Sequence, residues 1–213
     1  MPINEYTSSV FINCPFDKDY RPILYAIVFT VFDCGYLPRC ALEFEDAGQV
    51  RIDKISRIIS ECKFGIHDIS RTELDVNNLP RFNMPLELGL FMGAKKYGSQ
   101  HHKQKVSLIL DRAMYRYQIF ISDIAGQDIM AHNNNADEVI PIVRNWLRNS
   151  SGRRTIPGGA AISSRYRLFK TGLPILCSTL HLEQDELIFN DYALLASEWL
   201  KENSLIPSDT LPE

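Results

Sequence analysis

Arg81-Phe82-Asn83-Met84-Pro85-Leu86-Glu87-Leu88-Gly89-Leu90-Phe91-Met92-Gly93-Ala94-Lys95-Lys96 reads as a helix. Asn83 suits the N-cap, Pro85 stands in the first turn where no backbone N–H is required, and Lys95 and Lys96 sit at the negative end of the helix dipole. The segment is apolar on nearly all sides, which predicts burial all round. Gly89 and Gly93, one turn apart, predict the close approach of another backbone. Glu87 is its one carboxylate, expected in the first turn. Burial raises the pKa of such a group while the helix N-terminus and any nearby arginine lower it. Glu87 is therefore either paired or poised for chemistry.

Working outward, Lys63-Phe64-Gly65-Ile66-His67-Asp68-Ile69-Ser70 predicts a strand with a polar end, and Val106 to Leu110, ending at Asp111-Arg112, predicts another. The Glu87 helix is then the crossover of a strand–helix–strand unit. The same alternation runs upstream. Ser8 to Asn13 is a strand that enters the loop Cys14-Pro15-Phe16-Asp17. A helix follows from about Tyr20 to Phe32, with Ile23, Leu24, Ile27, Val28 and Val31 on its inner face and Asp17 to Asp19 as capping choices. Next come a strand near Leu37 to Leu42, an acidic loop from Glu43 to Gly48, and a helix from about Gln49 to Cys62. That helix carries Val50, Ile52, Ile55, Ile58 and Ile59 opposite Arg51, Lys54 and Arg57. Four such alternations predict an α/β fold, a parallel sheet with helices on both faces.

Ligands of such sheets bind beyond the carboxyl ends of the strands. The polar residues gather at those ends, in Asn13 to Asp17, Arg39 to Asp46, Asp68 to Glu73 and Arg81 to Glu87. Arg71 and Arg81 flank one loop, with an Asn77-Asn78-Leu79-Pro80 turn between them, and suit a phosphate bidentately or else pair with Glu73 and Asp75. Asp68 and Ser70 suit ribose hydroxyls, or else cap the turn that follows. Asn13, Pro15 and Phe16 offer polar groups and an aromatic face for a base, without the glycines of a dinucleotide or phosphate-loop fingerprint. If the crevice holds a ribosyl group, Glu87 stabilises an oxocarbenium-like transition state or attacks the anomeric carbon, as carboxylates do in glycosidases.

Downstream, Tyr117 to Ile121 is a strand or a short helix, Asp128 to Ala131 an edge strand, and Ala136 to Arg148 a helix capped by Asn135. Ser150 to Gly159 reads as a linker, so the α/β domain is expected at 1–150 and a helical C-terminal extension at 151–213. The extension holds helices over about Ala160 to Leu180 and Asp185 to Glu202, with a Pro-rich, frayed tail from Ser204.

The chain has 213 residues, 45% hydrophobic and 23% charged, enough for an ordinary core. Its net charge of -3 gives no bulk attraction to nucleic acid or anionic lipid. No apolar run is long enough to span a bilayer and no signal peptide opens the chain. Five scattered cysteines form neither a disulfide framework nor a zinc motif, and the five histidines share no ligand spacing with them. These features predict a cytoplasmic protein without a bound metal. No Gly-x-Ser-x-Gly elbow or Cys nucleophile motif is present.

Val10-Phe11-Ile12-Asn13 with Asp17-Lys18-Asp19, Ile55 to Cys62 running into Phe64-Gly65-Ile66, and Met84-Pro85-Leu86-Glu87-Leu88-Gly89 together resemble the TIR superfamily and its relatives, the nucleoside 2-deoxyribosyltransferases. The resemblance covers roughly Ser8 to Asp111. It implies a flavodoxin-like sheet and cleavage of an N-glycosidic bond, that of nicotinamide and ribose in NAD or that of base and deoxyribose. Glu87 would be the catalytic carboxylate, with Asp68, Arg71, Arg81 and Asn83 around the pocket. It further implies NAD as a substrate rather than a cofactor, a small-molecule nucleotide as partner, assembly into a homo-oligomer, and a setting in bacterial defence signalling. Phe82-Asn83-Met84-Pro85 stands where TIR enzymes carry a Trp-Cys pair, and the opening loop differs from that of the transferases.

Overall fold

The computed structural model describes residues 5–43, 48–74 and 78–203. The acidic loop beyond Glu43, Asp75 and Asn77 of the Arg71–Arg81 connection, and the tail from Ser204 lie outside the described residues. In chain order the elements are α1 (Glu5–Ser8), β1 (Ser9–Asn13), α2 (Arg21–Asp33), β2 (Leu37–Arg39), α3 (Arg51–Glu61), β3 (Phe64–Asp68), α4 (Asn83–Tyr97), β4 (Val106–Asp111), β5 (Ile129–Ala131), α5 (Ala136–Ser151), α6 (Gly159–Thr179) and α7 (Phe189–Asn203). Tyr117 falls in a 3₁₀ turn, Arg116–Ile119, rather than a strand.

The strands form one parallel sheet in the order β2-β1-β3-β4-β5. This is the flavodoxin-like arrangement, and its order reverses between β1 and β3, the point where such sheets open a crevice at their carboxyl edge. Alternation along the strands sorts the core. Val10 and Ile12 of β1, Phe64 and Ile66 of β3, and Leu108 and Leu110 of β4 pack with α2 and α5. On the opposite side Phe11 packs with Ile55, Ile58 and Ile59 of α3 and with Phe91 of α4, and Ile109 packs with Leu88. At the outer end of the predicted α3 stripe, Val50 and Ile52 are exposed.

α2 is not one-sided. Ala26, Phe29 and Phe32 are buried along with the predicted Ile23, Leu24, Ile27, Val28 and Val31, because α6 and α7 cover the side of α2 that faces away from the sheet. Phe29 meets the rings of Tyr166, Phe169 and Trp199 at centroid distances of 5.3, 5.2 and 6.0 Å. The expected linker is shorter than its sequence range. α5 continues to Ser151, and Gly152 ends it in the left-handed region at φ 69°, a conformation glycine adopts without steric cost. Asn135 does cap α5, its side chain accepting from the Asp137 backbone N–H at 2.9 Å. Two basic residues of this region hold structure together: Arg165 pairs with the buried Asp33 at 2.8 Å, and the Arg153 guanidinium lies 4.9 Å from the Tyr36 ring centroid.

Gly65, in the middle of β3, is where α4 presses on the sheet. A Cβ there would stand 2.6 Å from His67 Nε2 and 2.8 Å from the Phe91 ring. We expect Gly65→Ala to destabilise the fold by about 1–3 kcal/mol through overpacking, measured as a lowered denaturant midpoint at unchanged slope. An unaltered midpoint would show that Phe91 is free to shift.

No helix among the described residues is long and apolar enough to cross a membrane.

Candidate functional site

The site begins with Asn13, the last residue of β1. Its Nδ2 donates to the Met84 carbonyl at 2.8 Å and lies 3.2 Å from His67 Nδ1, so the start of α4 is tied to the ends of β1 and β3. His67 is fully buried between the rings of Phe11 and Phe91. Burial, with the nearby Lys105 charge, lowers its pKa to about 3. The ring is neutral; with Nδ1 accepting from Asn13, the proton sits on Nε2, which finds no partner among the described residues.

Met84, Glu87, Leu88 and Phe91 form the buried face of α4, spaced three and four residues apart as a helix requires. The cap differs from expectation. Phe82 is the N-cap and makes no side-chain cap, so Asn83 falls inside the helix and Glu87 stands in the second turn. Asn83 is exposed there. Glu87 is only 7% exposed. Burial pushes its carboxyl up from 4.5 to about 7, against a smaller opposing pull from Arg51. No hydrogen bond or ion pair to Glu87 forms among the described residues. The dipole effect fades within the first helical turn, so at this position it does little to hold the carboxyl down.

α4 is also not buried all round. Phe82, Leu86 and Tyr97 are 68, 55 and 80% exposed, and a Cβ built at Gly89 or Gly93 meets nothing within 4 Å. The predicted backbone approach at those glycines is absent from the described residues, because α3 and the sheet take only one side of the helix.

Asp68 lies away from Glu87. Two-residue alternation in β3 turns it with Ile66 toward the α2 side, whereas His67 faces α4. There it is completely buried. Its Oδ2 accepts from Tyr20 Oη at 2.7 Å and from His132 Nε2 at 2.8 Å, and its Oδ1 accepts from the Ser70 backbone N–H at 2.8 Å. Asn133 and Asn134 adopt positive φ, 51° and 55°, which asparagine tolerates; the turn delivers the Asn134 N–H to His132 Nδ1 at 3.1 Å and orients the ring. Asp68 thus joins β3, the start of α2 and the end of β5, and its oxygens are occupied by the protein's own donors rather than open to ribose. We expect Asp68→Asn to cost on the order of 3 kcal/mol. The amide cannot accept from all three donors, and each buried donor left without a partner costs about 1–3 kcal/mol. A thermal midpoint equal to wild type would refute this. Ser70 is buried beside it, with an Oγ that meets no partner among the described residues.

The open crevice is formed by Arg71 and Arg81 with Asp17, Asp19, Glu73 and Leu74, and encloses about 260 Å³. Arg71 reaches Asp17 at 3.2 Å and Asp19 at 3.9 Å, and Arg81 reaches Asp17 at 3.8 Å. The arginines therefore converge as the sequence reading required, but on Asp17 and Asp19. Glu73 is held instead by Arg112 and Arg116. Phe16 lies elsewhere, lining a small cavity with Leu24, Tyr25 and Leu187. Pro15 is buried. Burial and the charges of Asp68, Glu87 and Asp17 all raise the Cys14 pKa, which keeps this thiol from acting as a thiolate; the other four cysteines are likewise buried and free.

Sequence reasoning overlooked Tyr20, His132 and Arg116. Arg116 donates to Asp111 Oδ1, Thr72 Oγ1 and the Ile69 carbonyl at 2.8–2.9 Å, and so pins the start of the Arg71 loop. The run His132-Asn133-Asn134-Asn135 directly after the last strand was the available signal for the histidine. Among the described residues no three His, Cys, Asp or Glu side chains gather as a metal-binding group. Compared with protein-family models, with curated proteins and with solved structures, the chain matches none.

Proposed function

We propose that this protein cleaves the N-glycosidic bond between base and ribose in a nucleotide, with NAD as the leading substrate and bacterial defence as the setting. The observation that carries the proposal is Glu87: a buried carboxyl near the carboxyl edge of a parallel sheet, without a partner among the described residues and with a pKa near 7. Structural carboxylates in such places acquire donors, as Asp68 does; an unpaired one with a displaced pKa is the pattern of a catalytic group. In the reaction the C1′–N bond breaks and its electron pair leaves with the base. The ionised Glu87 stabilises the resulting oxocarbenium character or closes on C1′ as a nucleophile, and water, an internal nucleophile or a second base completes hydrolysis, cyclisation or transfer. A nucleoside 2-deoxyribosyltransferase-like reaction is the transfer version of the same chemistry.

The crevice is the proposed anchor for the substrate's phosphate; Glu87 is not among the residues that line it, so the reading requires the sugar to reach past that lining to the carboxyl. The Arg71 and Arg81 pairs with Asp17 are partly exposed and contribute about 0–1 kcal/mol each, so a substrate phosphate can replace Asp17 through stronger bidentate contacts. Incubation of the full chain with NAD and a panel of nucleosides and deoxynucleosides, read by mass spectrometry, tests the reading. Release of nicotinamide or free base is expected; intact substrates throughout the panel would end it.

A second reading, a self-assembling nucleotide-sensing module, is favoured by the exposed Phe82, Leu86 and Tyr97 on α4. It requires the mass in solution to rise on nucleotide addition with no product formed.

A further inference from the structure

A cavity roomier than the crevice lies elsewhere. It encloses about 490 Å³ between the start of α2 and the connection from α6 to α7, within the range of about 300–1,000 Å³ in which small-molecule sites fall. The crevice at Arg71 and Arg81 has roughly half that space.

Three cations line this cavity, Lys18, Arg21 and Lys170. Among the described residues no carboxylate lies within ion-pair distance of any of them; Arg21 donates one N–H to the Asp185 backbone carbonyl at 2.6 Å, which leaves its charge uncompensated. Two carboxylates, Glu183 and Asp185, stand on the wall. Over these five wall residues the balance is one positive charge in excess, which favours an anionic group.

Three tyrosines also line the cavity. Tyr166 and Tyr192 are buried, and Tyr192 stacks on Tyr25 at 3.7 Å with their planes 5° apart, so the partly exposed Tyr25 is a ring held rigid from behind. The Tyr25 hydroxyl is shielded from water, and so from a ligand as well; what Tyr25 offers to the cavity is its partly exposed ring.

We infer that this cavity binds a nucleoside monophosphate, with its phosphate on Lys18, Arg21 and Lys170 and its base or sugar against the Tyr25 ring. The site is separate from the crevice at Arg71 and Arg81 and independent of the glycosidase reading. It gives α6 and α7 a use beyond covering α2, since they supply Tyr166, Lys170 and Tyr192. The two sites share one turn: Lys18 faces this cavity, while its neighbours Asp17 and Asp19 face the crevice.

Equilibrium binding of a fluorescent AMP analogue carrying an N-methylanthraniloyl group on the ribose tests the inference. The wild-type chain, the Lys18→Glu/Lys170→Glu double variant and Arg71→Ala are compared, with unlabelled AMP and adenosine as competitors. Both lysines are exposed, so the double variant is expected to keep the wild-type melting midpoint. Its affinity should fall by about tenfold or more, Arg71→Ala should bind as wild type does, and AMP should displace the probe at least about tenfold better than adenosine. Absence of saturable binding to wild type, affinity of the double variant within about twofold of wild type, or loss of binding in Arg71→Ala instead would each overturn it.

Discussion

Glu87→Gln is expected to lower base release by on the order of 10³-fold while making the protein more stable at pH 8. The two effects share one cause. In the folded chain burial holds the Glu87 carboxyl near 7, against 4.5 ordinarily. Below pH 4.5 both folded and unfolded chains carry the proton and the group has no influence on stability. Between about 4.5 and 7 the unfolded chain has released the proton and the folded chain retains it, so stability falls as pH rises. Above 7 the penalty is complete. At about 1.4 kcal/mol for each pH unit between the two values, it is on the order of 3 kcal/mol. Glutamine keeps the shape and carries no charge, so the variant should melt roughly 5–10 °C above wild type at pH 8 and level with it near pH 4.5. In the wild-type enzyme the rate should rise through about pH 7 as the carboxylate forms. A variant that turns over normally would remove Glu87 from the mechanism, whereas one with no stability gain at pH 8 would mean that the carboxylate is solvated.

Phe169→Ala should cost about 3–5 kcal/mol and lower the melting midpoint by roughly 10 °C. Phe169 is fully buried and meets Phe29, Tyr192 and Trp199 at 5.2, 5.7 and 5.6 Å, so truncating it opens a cavity in the layer that joins α2, α6 and α7. The stronger form of the same prediction is removal of everything after Ser151. That leaves Tyr25 and Phe29 of α2 without the rings that cover them, and a shortened chain of this kind is expected in the insoluble fraction. Recovery of a monomeric 1–151 chain with a cooperative melting transition would show that α6 and α7 are an appended unit.

Much of the site was visible in residue order. Asn13 and Asp68 end predicted strands, Arg71 follows in the loop after the second of them and Glu87 stands near the start of the helix beyond that loop, and the crossover rule alone directs such positions to one edge. The face on which each residue lands was not visible. Asp68 follows His67 by a single residue, and in a strand that step carries a side chain to the other side of the sheet, to Tyr20 and His132 rather than to Glu87. Tyr20 and His132 are 112 residues apart in the chain, and their meeting on Asp68 carries no local pattern.

By itself the sequence determined the succession of strands and helices, the sheet's parallel character, and a carboxylate near the start of the fourth helix, because side-chain period and turn chemistry act over a few residues. Only the tertiary structure decided the environment of the two most apolar helices. α2, expected to bury one face, is enclosed by the sheet on one side and by α6 and α7 on the other; α4, expected to be enclosed, leaves Phe82, Leu86 and Tyr97 in solvent. Periodicity states how apolar a helix surface is, and it does not state which distant segment arrives to cover it. That arrival is a long-range packing event, and it left Glu87 buried without a partner among the described residues.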